Sequence, residues 1–257
     1  MEAADQLAEL LADSSAQLPL DRALLLLAAS RPGRRDSIES GLSALDELAS
    51  GCTDPTLTGL TRHLFRDKGF SGDRTDYHDP RNSLLDEVLK RRIGMPITLG
   101  AVMLETGRRI GVPLDGIGMP GHFLLRDRVL TGLFIDPYHR GAQIDEHQCL
   151  SRFQSIHGSD ATFDPRYLEP IDNRAIVGRV LNNLTASFRS RSPRDLDWIL
   201  DLRVQLPAPP PDQRALAELC EGRGRYKDAA DILDQLALTT GSDRAAERAL
   251  VLRSLLN

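Results

Sequence analysis

The chain has 257 residues, 41% hydrophobic and 27% charged, enough for one large domain or two smaller ones with cores that need no covalent staples. A formal net charge of −5 lacks the basic excess of a nucleic-acid binder, so no nucleic-acid partner is expected. Cys52, Cys149 and Cys220 are odd in number, far apart and outside any Cys-x-x-Cys pattern, which argues against disulfides and a structural zinc site. The apolar run ALLLLAA at 23–29 is too short to span a bilayer, and the N-terminus is acidic. The expectation is a cytoplasmic protein with no membrane partner, metal or cofactor.

In chain order, the first seventy residues read as helices. Leu24 to Leu27 cluster, then Ile38, Leu42, Leu45 and Leu48 recur at spacings of three and four until Ser50-Gly51. Asp54-Pro55 opens another helix with Leu57, Leu60 and Leu64 on one face; such leucines are core and speak of fold only. From Ser71 the stretch SGDRTDYHDPRNS is turn chemistry. A helix follows over 83–92. Proline suits the first helical position, so the next helix is predicted from Pro96 to about Ile110, with Gly111-Val112-Pro113 as its stop.

Strands are predicted over 114–118, 122–126 and 129–135, the last interrupted by Thr131-Gly132. A central helix followed by antiparallel strands predicts an α+β core with helices packed on one side of a small sheet. Beyond Pro170 the chain turns helical again, with Ile176, Val180, Leu181 and Leu184 periodic and LPAPPPDQ at 206–213 as a break. DLDWILDL at 195–202 overlays DAADILDQ at 228–235 at an offset of roughly 33 residues, close to the tetratricopeptide period. Two helix pairs are too few for an independent array, so this tail is expected to pack on the core. The predicted organisation is an N-terminal helical segment over 1–70, a core over 71–168 and a helical, tetratricopeptide-like region over 169–257.

Three polar residues stand in apolar or turn-forming surroundings: His122 in PGHFLL, Asp136 in LFIDPY and Thr98 in MPITLG. A histidine at the start of one strand and an aspartate at the end of the next can meet across an antiparallel pair, where the carboxylate fixes the imidazole tautomer. That is the base-and-orienter half of a catalytic triad, and equally the arrangement of a buried histidine satisfied for structural reasons. Arg81, Asn82 and Arg92 flank the same region and either line a polar cleft or make surface ion pairs. Tyr138 and His139 follow Asp136 in a turn, open to a binding role or a plain surface one.

Asn82-Ser83-Leu84, Arg92-Ile93-Gly94-Met95-Pro96-Ile97-Thr98-Leu99, Pro120-Gly121-His122-Phe123-Leu124 and Ile135-Asp136-Pro137-Tyr138 together resemble the transglutaminase-like superfamily. They are most similar to its bacterial SirB-type branch, which pairs this core with tetratricopeptide-like helices. The resemblance runs over about 77–141 and implies a central helix on a small antiparallel sheet. It implies a catalytic role for His122, with Asp136 orienting it. Catalytic members place a cysteine at the N-terminus of the central helix, where backbone N–H groups and the helix dipole favour a thiolate. Alignment on Gly94 puts Pro96 at that position. Proline brings neither a nucleophile nor an N–H.

Two readings follow. In the favoured one the chain is non-catalytic, and its cleft and helical tail bind a peptide or protein partner, with Asn82, Arg92 and Tyr138 as binding residues. In the other it is a hydrolase or amide-processing enzyme in which the Thr98 hydroxyl, or a water activated by His122 and Asp136, replaces the missing thiol. A first-turn threonine also commonly bonds to backbone. A third, purely structural possibility requires His122 to be enclosed with no pocket beside it.

Overall fold

The computed structural model of the chain describes residues 2–13, 17–33, 38–129, 132–191 and 193–256. Four helices come first: α1 (Ala3–Ala12), α2 (Leu20–Ala29), α3 (Ile38–Ser50) and the short α4 (Leu57–Thr61), which runs into a wide helical turn over Arg62–Asp67. The leucines that set their period are the ones buried. Leu24, Leu26, Leu27, Leu45, Leu60 and Leu64 all lie in one core with the central helix. Burying each contributes roughly 1.5–3 kcal/mol.

The polar stretch after Ser71 contains β1 (Ser71–Gly72) and a tight turn over Pro80–Ser83, followed by α5 (Leu85–Arg91), β2 (Ile93–Gly94) and the central helix α6 (Pro96–Ile110). β1 and β2 pair in parallel, Ser71 with Ile93 and Gly72 with Gly94, which ties the polar loop to the entry of α6. α6 starts and stops as the sequence requires: Pro96 is its first residue, and Gly111 ends it in the left-handed region at φ 80°.

Next come β3 (Leu114–Ile117), β4 (Leu124–Asp127), β5 (Phe134–Asp136), β6 (Ala142–Ile144), α7 (Glu146–His157) and β7 (Pro170–Ile171). Five strands form an antiparallel sheet in the order β6-β5-β4-β3-β7. Alternation splits their side chains between two cores. Phe123, Leu125 and Ile135 face α6, while Leu124, Phe134 and Ile144 pack with Cys149 and Phe153 of α7. The expected one-sided sheet is therefore covered on both faces, because α7 carries an apolar stripe of its own. The strand expected over 129–135 shrinks to Phe134–Asp136; Val129 is 74% exposed, and Leu130 and Thr131 lie outside the described residues.

The chain ends in α8 (Asn173–Arg191), α9 (Pro193–Val204), α10 (Pro210–Gly222), α11 (Tyr226–Thr240) and α12 (Asp243–Ser254). α10, α11 and α12 pack in sequence, and Leu216, Ala230, Leu236 and Ala249 belong to the same continuous core as α6. The N-terminal helices are bolted to α6 by a buried ion cluster. Arg109 reaches Asp21 at 2.7 Å and Glu105 at 2.8 Å, and Arg108 adds 3.2 Å and 2.8 Å contacts to the same two carboxylates. Burial and the neighbouring Asp21 charge raise the Glu105 carboxyl above its ordinary pKa. No helix among the described residues is long and apolar enough to cross a membrane.

Candidate functional site

Two close glycine contacts bring the sheet onto the start of α6. The Phe123 ring lies over Gly100, where a Cβ would come within 2.5 Å of it, and over Gly116 of β3, where the approach would be 2.9 Å. With Phe123 seated there, His122 stands in the turn just ahead of β4 and shares a cleft with Pro96. The cleft encloses about 350 Å³ and is also bordered by Tyr77, Ile97, Asn182 and Asn183. None of the described residues that line it is a cysteine, serine, threonine or carboxylate.

His122 Nε2 lies 2.9 Å from Asp136 Oδ2, and Asp136 is completely buried. The ring donates Nε2–H to the carboxylate, which leaves the lone pair on Nδ1. The backbone N–H of His139 holds the other carboxylate oxygen at 3.1 Å. Arg152 of α7 packs its guanidinium against Asp136 Oδ2 and 2.8 Å from His139 Nδ1. His139 Nδ1 also lies 3.0 Å from Asp136 Oδ2, so one tautomer of His139 donates to the carboxylate and the other accepts from the guanidinium.

Burial, with the positive charges of Arg152 and Arg179 nearby, holds the His122 pKa below the ordinary imidazole value. Arg152 takes up much of the Asp136 charge that would otherwise favour imidazolium. His122 is thus a neutral base at neutral pH.

Arg179 of α8 clamps the turn that carries His122, donating to the carbonyl oxygens of Gly118 (2.7 Å), Met119 (3.0 Å) and His122 itself (2.8 Å). Ligand atoms of His122, Asp136 and His139 lie within 4.8 Å of one another, so these three have the types and spacing to hold a transition metal. Arg152 occupies that same side of the carboxylate, and a cation would have to displace it.

The structure brings His122 beside Pro96 in the cleft and against Asp136 and Tyr138, and directs Thr98, Asn82 and Arg92 to backbone and loop partners. Thr98 is fully buried; its hydroxyl donates to the Asn82 carbonyl at 2.6 Å and accepts from the Met95 N–H at 3.1 Å, which caps the first turn of α6. Asn82 is equally buried. Its amide donates to Asp73 (3.0 Å) and to the Asp76 carbonyl (2.8 Å), and its oxygen accepts from Arg91 at 3.1 Å, so it organises the polar loop from within. Arg92 sits in the left-handed region at φ 58° after α5 and donates to the Lys68 carbonyl at 2.9 Å. Tyr138 stacks edge-on against His122 at 6.5 Å and donates its hydroxyl to the Asp73 carbonyl.

The three cysteines are free and buried, and burial pushes the thiols of Cys149 and Cys220 up to about 12 and about 11. None lines the cleft. Sequence reasoning missed Arg152, Arg179, Asn182 and Asn183. The adjacent amides Asn182-Asn183 inside an apolar helical period were a usable signal; for Arg152 there was none.

A sequence profile described as the transglutaminase-like superfamily matches residues 4–182. The chain is 37% identical over 155 residues to a UPF0162 protein of Xylella fastidiosa, covering 57% of this chain and 55% of that protein. It is 35% identical over 145 residues to a UPF0162 protein of Vibrio cholerae, covering 55% and 52%. F-box only protein 21 of the mouse is 33% identical over 102 residues, which span 36% of this chain and 16% of that one. The chain thus spans about half the length of the bacterial relatives it matches. No solved structure matches it.

Proposed function

The chain belongs to the transglutaminase-like superfamily, and we propose that it is a non-catalytic member whose cleft binds an extended peptide or protein segment. The observation that carries this reading is Pro96. It stands at the first position of α6, borders the same cleft as His122, and offers neither nucleophile nor N–H where a thiol would react. The Thr98 hydroxyl is a poor substitute, because it is buried and already donates to a carbonyl.

The lining suits a polypeptide backbone. Asn183 supplies an amide donor and acceptor, and Tyr77, Ile97 and Ala186 supply apolar wall. The helical tail packed on the core adds surface for a larger partner. Against this stands one feature that favours an altered enzyme: His122 is a neutral, oriented base whose Nδ1 is available to a water.

The two readings part in one experiment. The full chain is screened against a peptide array and, in parallel, against amide and ester substrates, beside Ala186→Trp to obstruct the cleft and His122→Ala to remove the base. Peptide capture lost in Ala186→Trp, with no turnover, is the expected result. Turnover that His122→Ala abolishes would overturn the non-catalytic reading.

A further inference from the structure

Behind the candidate cleft, across α8, lies a larger cavity of about 680 Å³ between α8 and the connection from α9 to α10. The two share Arg179 and Asn182 as a common wall. Most of the larger space is apolar, bounded by Val177, Leu181, Leu206 and Pro207. Two features of it have no structural explanation.

The first is Arg203. Arg203 is only 8% exposed as a residue, borders the cavity and makes one hydrogen bond, from Nη1 to the Thr185 hydroxyl at 2.9 Å. No carboxylate among the described residues forms an ion pair with it. Asp212 borders the same cavity and helps to keep Arg203 charged, yet its two oxygens accept from the Asn182 amide at 3.3 Å. A guanidinium with one hydroxyl partner on the wall of a cavity retains unused donors in a planar fork, the geometry that takes a carboxylate bidentately.

The second is Gly178. It lies inside α8, where glycine is disfavoured, and nothing beyond the helix's own adjacent backbone comes within 4 Å of the point a Cβ would occupy. It is therefore not a close-packing glycine. It leaves the cavity wall open.

We propose that this cavity is a binding site for a carboxylate carried on an apolar body, with the carboxylate on Arg203 and the apolar part lying over Gly178 along Leu181 and Leu206. Asp172 and Asp212 on the same wall repel a doubly charged phosphate more strongly than a monoanion, and Arg174 and Arg179 on that wall offset part of their charge. Two sources share that chemistry, a free fatty acid and the C-terminus of a peptide that ends in an apolar residue. The site does not depend on the peptide reading of the His122 cleft.

The test is calorimetric titration of the full chain with octanoate and with an acetylated trileucine peptide bearing a free C-terminus, each beside its uncharged amide. At least one acid binds, and its amide binds about tenfold or more weakly. Octanoate alone identifies a free acid as the natural source; the peptide acid alone identifies a C-terminus. Arg203→Met weakens binding by a similar factor. Gly178→Leu fills the space, removes binding and keeps or raises the thermal midpoint, because leucine replaces glycine inside a helix. His122→Ala leaves binding unchanged.

Binding of neither acid, or equal binding of acid and amide, overturns the proposal. So does full affinity in Arg203→Met. Should that variant fail to fold, full affinity in Gly178→Leu overturns it equally. Loss of binding in His122→Ala would assign the ligand to the cleft and also overturn it.

Discussion

Phe123 rests on Gly100: a Cβ at that helical position would lie 2.5 Å from the ring's Cε1 and 2.7 Å from Cδ1. The sheet approaches α6 as closely as it does because that residue has no side chain, and the neighbouring His122 is placed by the same contact. Gly100→Ala should therefore destabilise the fold by about 1–3 kcal/mol, despite alanine's better helix propensity. Urea denaturation measures it. An unchanged or increased stability would mean that Phe123 does not set the helix–sheet distance.

Pro96→Cys should create a reactive thiol. The new side chain would stand in the first turn of a 15-residue helix, in the cleft that His122 borders. A helix N-terminus lowers a thiol pKa, and a thiol that passes its proton to the neutral His122 gains an imidazolium beside it, which together reach the range of about 3.5–7.5. Alkylation by iodoacetamide, followed against pH, should show a titration below the free-thiol value of about 8.5 that moves upward when His122→Ala is added. A rate that titrates as an unperturbed cysteine in both variants would separate Pro96 from the histidine.

His122 makes stability depend on pH. Its folded pKa lies below the ordinary 6.5, so as pH falls through that value the unfolded chain takes up a proton that the folded chain does not. The unfolded state then binds more protons, and stability declines with falling pH. His122→Gln should flatten this slope between about pH 7 and pH 5. Denaturation at a series of pH values reads it, and an NMR titration that placed the His122 pKa above 6.5 would reverse the sign.

Arg109→Met should be among the most damaging single changes. It removes the 2.7 Å and 2.8 Å contacts to Asp21 and Glu105, two carboxylates whose side chains are only 7% and 6% exposed, and leaves them to the more exposed Arg108. Breaking a buried pair in this way costs about 3–5 kcal/mol. Arg109→Met combined with Glu105→Gln should recover part of the loss. Equal stability of the single variant and the wild type would show that the cluster does not hold the N-terminal helices to α6.

The legible parts of this fold are those governed by local rules. Pro96 and Gly111 mark the ends of α6 because each is suited to its own backbone conformation. His122 and Asp136 stand out as polar residues at the ends of neighbouring apolar segments, and they meet even though β4 begins only at Leu124, because a turn residue ahead of the strand still reaches its neighbour's end. The spacing marks Thr98 as a first-turn hydroxyl, but the direction of its hydroxyl depends on the Asn82 carbonyl, 16 residues earlier in the chain.

The polarity of Asn82 suggests the wall of a cleft. The residue is buried because Asp73 and Asp76 fold the loop around it. Arg152 reaches Asp136 from a helix on the far face of the sheet, a face that the reading of helices on one side did not provide for. Local spacing cannot show which residue a later helix will deliver to a given carboxylate.

Arg179 gives the molecule a spar. One side chain of α8 grips the carbonyl of His122, while the same helix walls the larger space in which Arg203 is buried. A tilt of α8 is thus felt at the histidine's own backbone, and the imidazole resonances of His122 become a reporter on the compartment behind it.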